Sequence, residues 1–266
     1  MNMHAVEMQW EASGAGAPLV FVPGGLTGWL SWIPHAEVLA TSRHVIRVQL
    51  LSVEWGLSNT PLPQDYSADL EIQALDNTLK TIGIPHADFA AWSYGAEIAL
   101  SYAIHHPELV RSLTLIEPPA MWVLRSRGPL SNQLLEEQKI MQSFAADRVS
   151  EDQLAWFAHF AGFVPREVDP RSLPAWHVWS EHRQSLRIGD APFRHEDDIE
   201  WVRNFQNPVL LLKGQGSAEY YHQILDTLAE AFPNARLETL PAGHAPHIIS
   251  MAAFMEMFTQ FIADIT

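Results

Sequence analysis

What most constrains this chain is a set of short strand-like runs that stop at glycine or proline and alternate with helix-prone stretches. Residues 19–22 stop at Pro23-Gly24-Gly25, residues 112–117 at Pro118-Pro119, and residues 208–213 at Gly214 and Gly216. Residues 44–51, 86–92 and 236–240 read as further strands, and residues 6–11 as an edge strand. Between them, residues 29–40, 67–82, 96–105, 220–232 and 247–265 read as helices. In the second of these, Ser67 can cap, Leu70, Ala74, Leu75, Leu79 and Ile82 form an apolar stripe, and Gly83 ends the helix. Buried strands alternating with helices predict an α/β fold: a mostly parallel central sheet flanked by helices on both faces.

Residues 120–205 break the rhythm. They carry no strand run and are rich in bulky aromatics, among them Trp122, Trp156, Phe157, Phe160, Phe163, Trp176, Trp179, Phe193 and Trp201. The expected organisation is a core domain of residues 1–119 and 206–266, with residues 120–205 inserted as a helical lid over the carboxyl edge of the sheet. Aromatics gathered there suit either packing or the walls of an apolar pocket.

The chain has 266 residues, 47% hydrophobic and only 18% charged, with a formal net charge of −15. That is enough apolar material for one large core. The negative balance argues against nucleic acid and against anionic lipid as partners. Cysteine is absent, which excludes disulfides, thiolate metal sites and a cysteine nucleophile. The first ten residues lack a basic-then-apolar leader pattern, and no apolar run is long enough to cross a bilayer, so a cytoplasmic protein is expected. Among the histidines, His105, His106, His177 and His182 show no ligand pattern, and no metal or cofactor is expected.

Within the run of strands and helices, Ala91-Trp92-Ser93-Tyr94-Gly95 sits where a strand turns into a helix. A serine at such a corner presents its hydroxyl, and small residues two positions either side let strand and helix approach. This is the pattern of a nucleophile elbow. The competing reading is a serine that merely caps the following helix. Acyl transfer needs, besides the hydroxyl, a base, a carboxylate to orient it, and donors for the developing oxyanion. His244, in the loop Pro241-Ala242-Gly243-His244-Ala245-Pro246, is the base candidate. His247 is its rival, better suited to starting a helix. The loop after residues 208–213 has no carboxylate at Ser217, and Glu219 is its nearest acid. Glu117, closing the preceding apolar strand, is preferred as the orienting acid because a strand end is better fixed than a helix start; Glu219 remains the alternative. Backbone N–H groups of Gly25, in the glycine turn after the first long strand, and of Tyr94, at the helix start, are the oxyanion donors.

These residues resemble the α/β-hydrolase fold family along nearly the whole chain. The matching motifs are Val22-Pro23-Gly24-Gly25, Gly56-Leu57-Ser58, the elbow, Leu115-Ile116-Glu117-Pro118-Pro119 and Gly243-His244-Ala245-Pro246. The family's frequent His-Gly is Pro23-Gly24 here, and the first elbow glycine is Ala91. The absent aspartate near Ser217 is the larger departure. A glutamate at the position of Glu117 is similar to fungal zearalenone-type lactonases, as are Pro23-Gly24-Gly25-Leu26 and Pro174-Ala175-Trp176; that likeness makes Trp176 a substrate-facing lid residue. Cofactor-independent dioxygenases of the same fold also place their acid there. The resemblance thus implies a serine hydrolase of a small apolar ester or lactone, with a dioxygenase or a non-catalytic ligand receptor as alternatives.

Overall fold

A computed structural model describes residues 6–145 and 148–265. Its strands are β1 (Trp10–Ser13), β2 (Ala17–Val22), β3 (Arg43–Val48), β4 (Ala87–Trp92), β5 (Val110–Ile116), β6 (Val209–Gly214) and β7 (Ala235–Leu240). The helices before the long insertion are α1 (Ile33–Leu39), α2 (Leu51–Leu57), α3 (Ala68–Thr81) and α4 (Tyr94–His105). Between β5 and β6 come α5 (Met121–Arg125), α6 (Asn132–Gln142), α7 (Glu151–Phe160), α8 (Trp176–His182), α9 (Ala191–Arg194) and α10 (Ile199–Asn204), with no strand among the described residues. The chain closes with α11 (Glu219–Ala231), α12 (Pro246–Ile249) and α13 (Met251–Ala263).

The strands form one sheet in the order β1-β3-β2-β4-β5-β6-β7, parallel except where β1 pairs antiparallel with β3. Side chains alternate across a strand, so consecutive apolar residues feed both faces. Val20, Val22, Phe89, Ala91, Leu113, Leu115, Val209 and Leu211 pack on one face with residues of α3, α4 and α11. Leu19, Phe21, Ala90, Trp92, Ile116, Leu210 and Leu212 pack on the other, against Ala36 and Leu39 of α1 and Phe254 and Phe258 of α13. Helix α4 is buried from Tyr94 to Ile104, which is why its sequence shows no polar stripe.

The strand order reverses between β2 and β4. Helices leave the sheet in opposite senses there, opening a crevice at the carboxyl ends, where ligands bind in open α/β sheets. Val22 pairs with Ala91, Trp92 with Ile116, Ile116 with Leu212, and Gly214 with Leu240. The residues that follow each of these strands therefore emerge along a single rim.

Several local expectations are corrected. The edge strand is residues 10–13 rather than 6–11. The first helix is split into a tight 3-10 turn, Gly28–Trp32, and α1. The strand expected to reach residue 51 ends at Val48, and α2 follows. Ser67 precedes α3 without a side-chain capping bond. The closing helix is interrupted at Ser250, so α12 and α13 are separate.

Helix α2 escaped the sequence because its support comes from afar. The buried Glu71 carboxylate accepts hydrogen bonds from the N–H groups of Leu51 and Ser52, both at 2.8 Å, and from the Tyr66 hydroxyl at 2.8 Å. The carboxylate thus caps the start of α2 from a different helix. Burial raises its pKa above the ordinary carboxylate range, and these donors offset only part of that rise. Glu71→Ala leaves the two buried N–H donors of Leu51 and Ser52 unmatched, while the Tyr66 hydroxyl keeps Tyr94 as a partner, and is expected to cost about 2–4 kcal/mol. Urea unfolding of the variant against wild type checks this; an unchanged midpoint would refute the capping role.

Candidate active site

Ser93 follows β4 with φ +55°, a left-handed conformation that a non-glycine residue adopts only under local constraint. Its N–H donates to Ile116 O at 2.8 Å, which extends the β4–β5 ladder by one residue and pins the turn. A Cβ on Gly95 would lie 2.2 Å from Pro23 O, so only glycine lets α4 approach the end of β2. Although Ser93 occupies the position before α4, its side chain makes no capping bond. The hydroxyl points instead to His244, whose Nε2 lies 2.8 Å from Ser93 Oγ.

The other ring nitrogen of His244, Nδ1, lies 2.7 Å from Glu117 Oε2, and both side chains are fully buried. Glu117 Oε1 accepts the Gly214 N–H at 2.7 Å. With Nδ1–H donating to the carboxylate, Nε2 is left as the acceptor for Ser93. Glu117 reaches this position through an unusual backbone, with φ +49° immediately before Pro118, where extended conformations prevail. The His244 loop is held by its own main chain: His244 N–H donates to Gly162 O at 3.0 Å, and the Trp92 indole donates to His244 O at 2.6 Å. Loops from the far end of the chain, from the insertion and from β4 thus lock one imidazole.

Gly25 and Tyr94 both border the cavity beside Ser93. The Tyr94 N–H heads α4 and has no partner within its helix by construction. Glu219 is exposed, accepts a bond from Gln223, and has no contact with His244. Ser217 Oγ, in the loop lacking a carboxylate, is buried without a hydrogen-bond partner among the described residues.

The cavity has a volume of about 50 Å³ and a predominantly apolar lining. Phe157, Phe160, Phe163 and Phe193 of the insertion wall it, together with Met121 and Leu26. The insertion's tryptophans do not border it. Trp176 starts α8, half-buried under the Arg171 guanidinium at 5.6 Å, and is outside this lining. Short motifs could not distinguish phenylalanines aimed inward from tryptophans aimed at packing. The sequence reading also missed Tyr221 on α11. Its ring stacks on His244 with centroids 4.4 Å apart and planes 13° from parallel. The adjacent pair Tyr220-Tyr221, opening a helix straight after a rim loop, was the available signal.

His247 does not cap a helix. It is fully buried beneath the site between Trp32 and Trp92, and neither ring nitrogen has a hydrogen-bond partner among the described residues. Burial lowers its pKa well below 6.5, with neighbouring His35 and His244 adding to the effect. Burial lowers that of His35 from 6.5 as well, partly offset by its bond to His247 O. The unfolded chain therefore takes up protons below pH 6.5 that the folded chain refuses. Stability present at pH 7 is lost as pH falls, at about 1.4 kcal/mol per pH unit for each ring until the folded rings titrate. His247→Phe, set among aromatic neighbours, is expected to flatten this slope by one ring's share in urea unfolding between pH 7 and pH 5. An unchanged slope would remove His247 from the acid response.

The family model for the alpha/beta hydrolase fold matches residues 17–250. The chain belongs to this family. Among the curated relatives of this α/β hydrolase, 2-hydroxymuconate semialdehyde hydrolase of Pseudomonas sp. strain CF600 is 28% identical over 265 residues, which cover 95% of this chain and 89% of the relative. Pimeloyl-(acyl-carrier protein) methyl ester esterase of Nitrosomonas europaea is 25% identical over 266 residues, covering 93% and 96%. Among solved structures, a hydrolase from Pseudomonas aeruginosa PA01 superposes with a TM-score of 0.75 at 18% identity, covering 96% of this chain and 94% of the other, a likeness of fold. These relatives are hydrolases. Among the described residues, no cluster of histidine and carboxylate side chains is arranged to hold a metal ion, and no helix is long and apolar enough to cross a membrane.

Proposed function

We propose that this α/β hydrolase cleaves carboxylic esters or lactones of small apolar molecules through an acyl-enzyme on Ser93. The observation that carries the reading is the unbroken chain from Ser93 Oγ through His244 to Glu117, at 2.8 and 2.7 Å, on the floor of an apolar cavity. His244 Nε2 takes the Ser93 proton as Oγ attacks the carbonyl carbon. Glu117 keeps the imidazole in the competent tautomer and stabilises its cationic form. The N–H groups of Gly25 and Tyr94 bind the oxyanion, and His244 returns the proton to the leaving oxygen. Water activated by the same imidazole then releases the acid. A relative named for a methyl ester supports ester bonds as the target.

Small-molecule sites usually occupy about 300–1,000 Å³. A cavity of about 50 Å³ admits a small acyl group, and α5–α10 act as a cover that moves to admit a larger one. The test is a panel of chromogenic esters and lactones, read together with intact-mass detection of a fluorophosphonate adduct on Ser93. Turnover with an adduct at Ser93 is expected. Tight ligand binding without an adduct, or dioxygen consumption in place of hydrolysis, would replace the proposal with the receptor or the dioxygenase reading.

A further inference from the structure

Two hydroxyls compete for one lone pair at the centre of this site. Nε2 of His244 lies 2.8 Å from Ser93 Oγ and 3.2 Å from the Tyr221 hydroxyl. A neutral imidazole whose Nδ1–H is committed to Glu117 has a single acceptor site at Nε2. Ser93 is closer and takes it. The Tyr221 O–H is left beside the reacting atoms, with the Ser93 hydroxyl as its other neighbour. It cannot turn away, because its ring is stacked on the imidazole and α11 is packed into the core.

That arrangement changes once Ser93 has attacked. Nε2 then carries the proton and directs it to the leaving oxygen, which must sit within about 3 Å of Nε2 for transfer. The phenol oxygen, already 3.2 Å from the same nitrogen, shares the side of the imidazole that such an oxygen must approach. We propose that Tyr221 is a further catalytic residue, donating a hydrogen bond to the leaving-group oxygen as the tetrahedral intermediate collapses. The inference rests on the ester reading given above. In this step the C–O bond breaks and its electron pair goes to the leaving oxygen. The proton that neutralises the oxygen comes from Nε2, and Tyr221 keeps its own. Burial pushes the Tyr221 phenol far above its ordinary range, which suits a group that donates a hydrogen bond without releasing a proton. The neighbouring Tyr220 also interacts with the Tyr221 hydroxyl, which helps to orient it.

A stacked ring that only holds His244 in place would affect all substrates alike. A donor to the leaving oxygen matters most when that oxygen is a poor leaving group. The test compares kcat/KM, which reports acylation, for benzyl acetate and 4-nitrophenyl acetate with wild type and Tyr221→Phe. The variant is expected to lose about 10- to 100-fold on benzyl acetate and less than about threefold on 4-nitrophenyl acetate. Equal losses on both esters, or no loss, would overturn the proposal. Should Tyr221→Phe not fold, 3-fluorotyrosine at 221 keeps the ring and hydroxyl while strengthening donation. An altered ratio between the two esters then supports the role, and an unaltered ratio overturns it. If wild type turns over neither ester, the ester reading itself fails, and the leaving-group role goes with it; a discriminating loss at Tyr221 alone leaves that reading standing.

Discussion

Ser93→Ala is expected to lower ester turnover by about a million-fold while the protein stays folded, because the hydroxyl, the base and the orienting acid act as one unit. The fold should tolerate the change. The Ser93 side chain makes no helix cap, and the bond that pins the turn is made by its backbone N–H, which alanine keeps. The left-handed φ is no easier for alanine than for serine, so a small loss of stability accompanies the loss of activity. Steady-state kinetics on the best ester of the panel, with far-UV circular dichroism as the folding control, checks both halves. A folded Ser93→Ala protein with undiminished turnover would remove the acyl-enzyme mechanism.

Glu117→Gln is expected to be the second largest effect, a loss of about 10³–10⁴ in kcat. The carboxamide can preserve the contact with the Gly214 N–H through its oxygen, which turns its NH₂ group toward Nδ1 of His244. Two donors cannot face one another there, so the imidazole shifts its proton to Nε2. That proton then opposes the Ser93 hydroxyl where a lone pair is needed. The effect is one of tautomer rather than of packing, since glutamine matches glutamate in size. Glu219→Gln, exposed and away from His244, should stay within about twofold of wild type, in the range of surface substitutions. Parallel kinetics on the two variants decide between the acids; the reverse ranking would transfer the role to Glu219.

The sheet was readable because its strands are covered on both faces. Residues 19–22, 112–116 and 209–212 are apolar or small at nearly every position, and the two core clusters divide them between the faces by alternation. The elbow was readable for a similar reason: Gly95 answers a close approach by Pro23 O, and close approaches leave small residues in the sequence. Glycine and proline mark strand ends, so the positions of Ser93, Glu117 and His244 just past such ends could be inferred. Helix α2 was not readable, since its cap is a carboxylate on α3, and a local pattern carries no trace of a distant acceptor. The burial of His247 beneath the site and the place of Tyr221 were missed for the same reason. The environment of a side chain in a loop or at a helix start depends on which other loops close over it.

By itself, the sequence determined the α/β layering, the order of elements along the rim and the residue types able to carry acyl transfer. These follow from covalent chain direction, alternation along strands and the conformational freedom of glycine, all of which act over a few residues. Only the tertiary structure decided that Glu117 rather than Glu219 meets His244, that phenylalanines rather than tryptophans wall the cavity, and that a phenol lies against the imidazole. Those outcomes depend on contacts between different loops and helices, from Tyr221 with His244 at a separation of 23 to Glu117 with His244 at a separation of 127. Hydrogen bonds and packing at that range are set by the geometry of the whole sheet, for which no local pattern is a substitute.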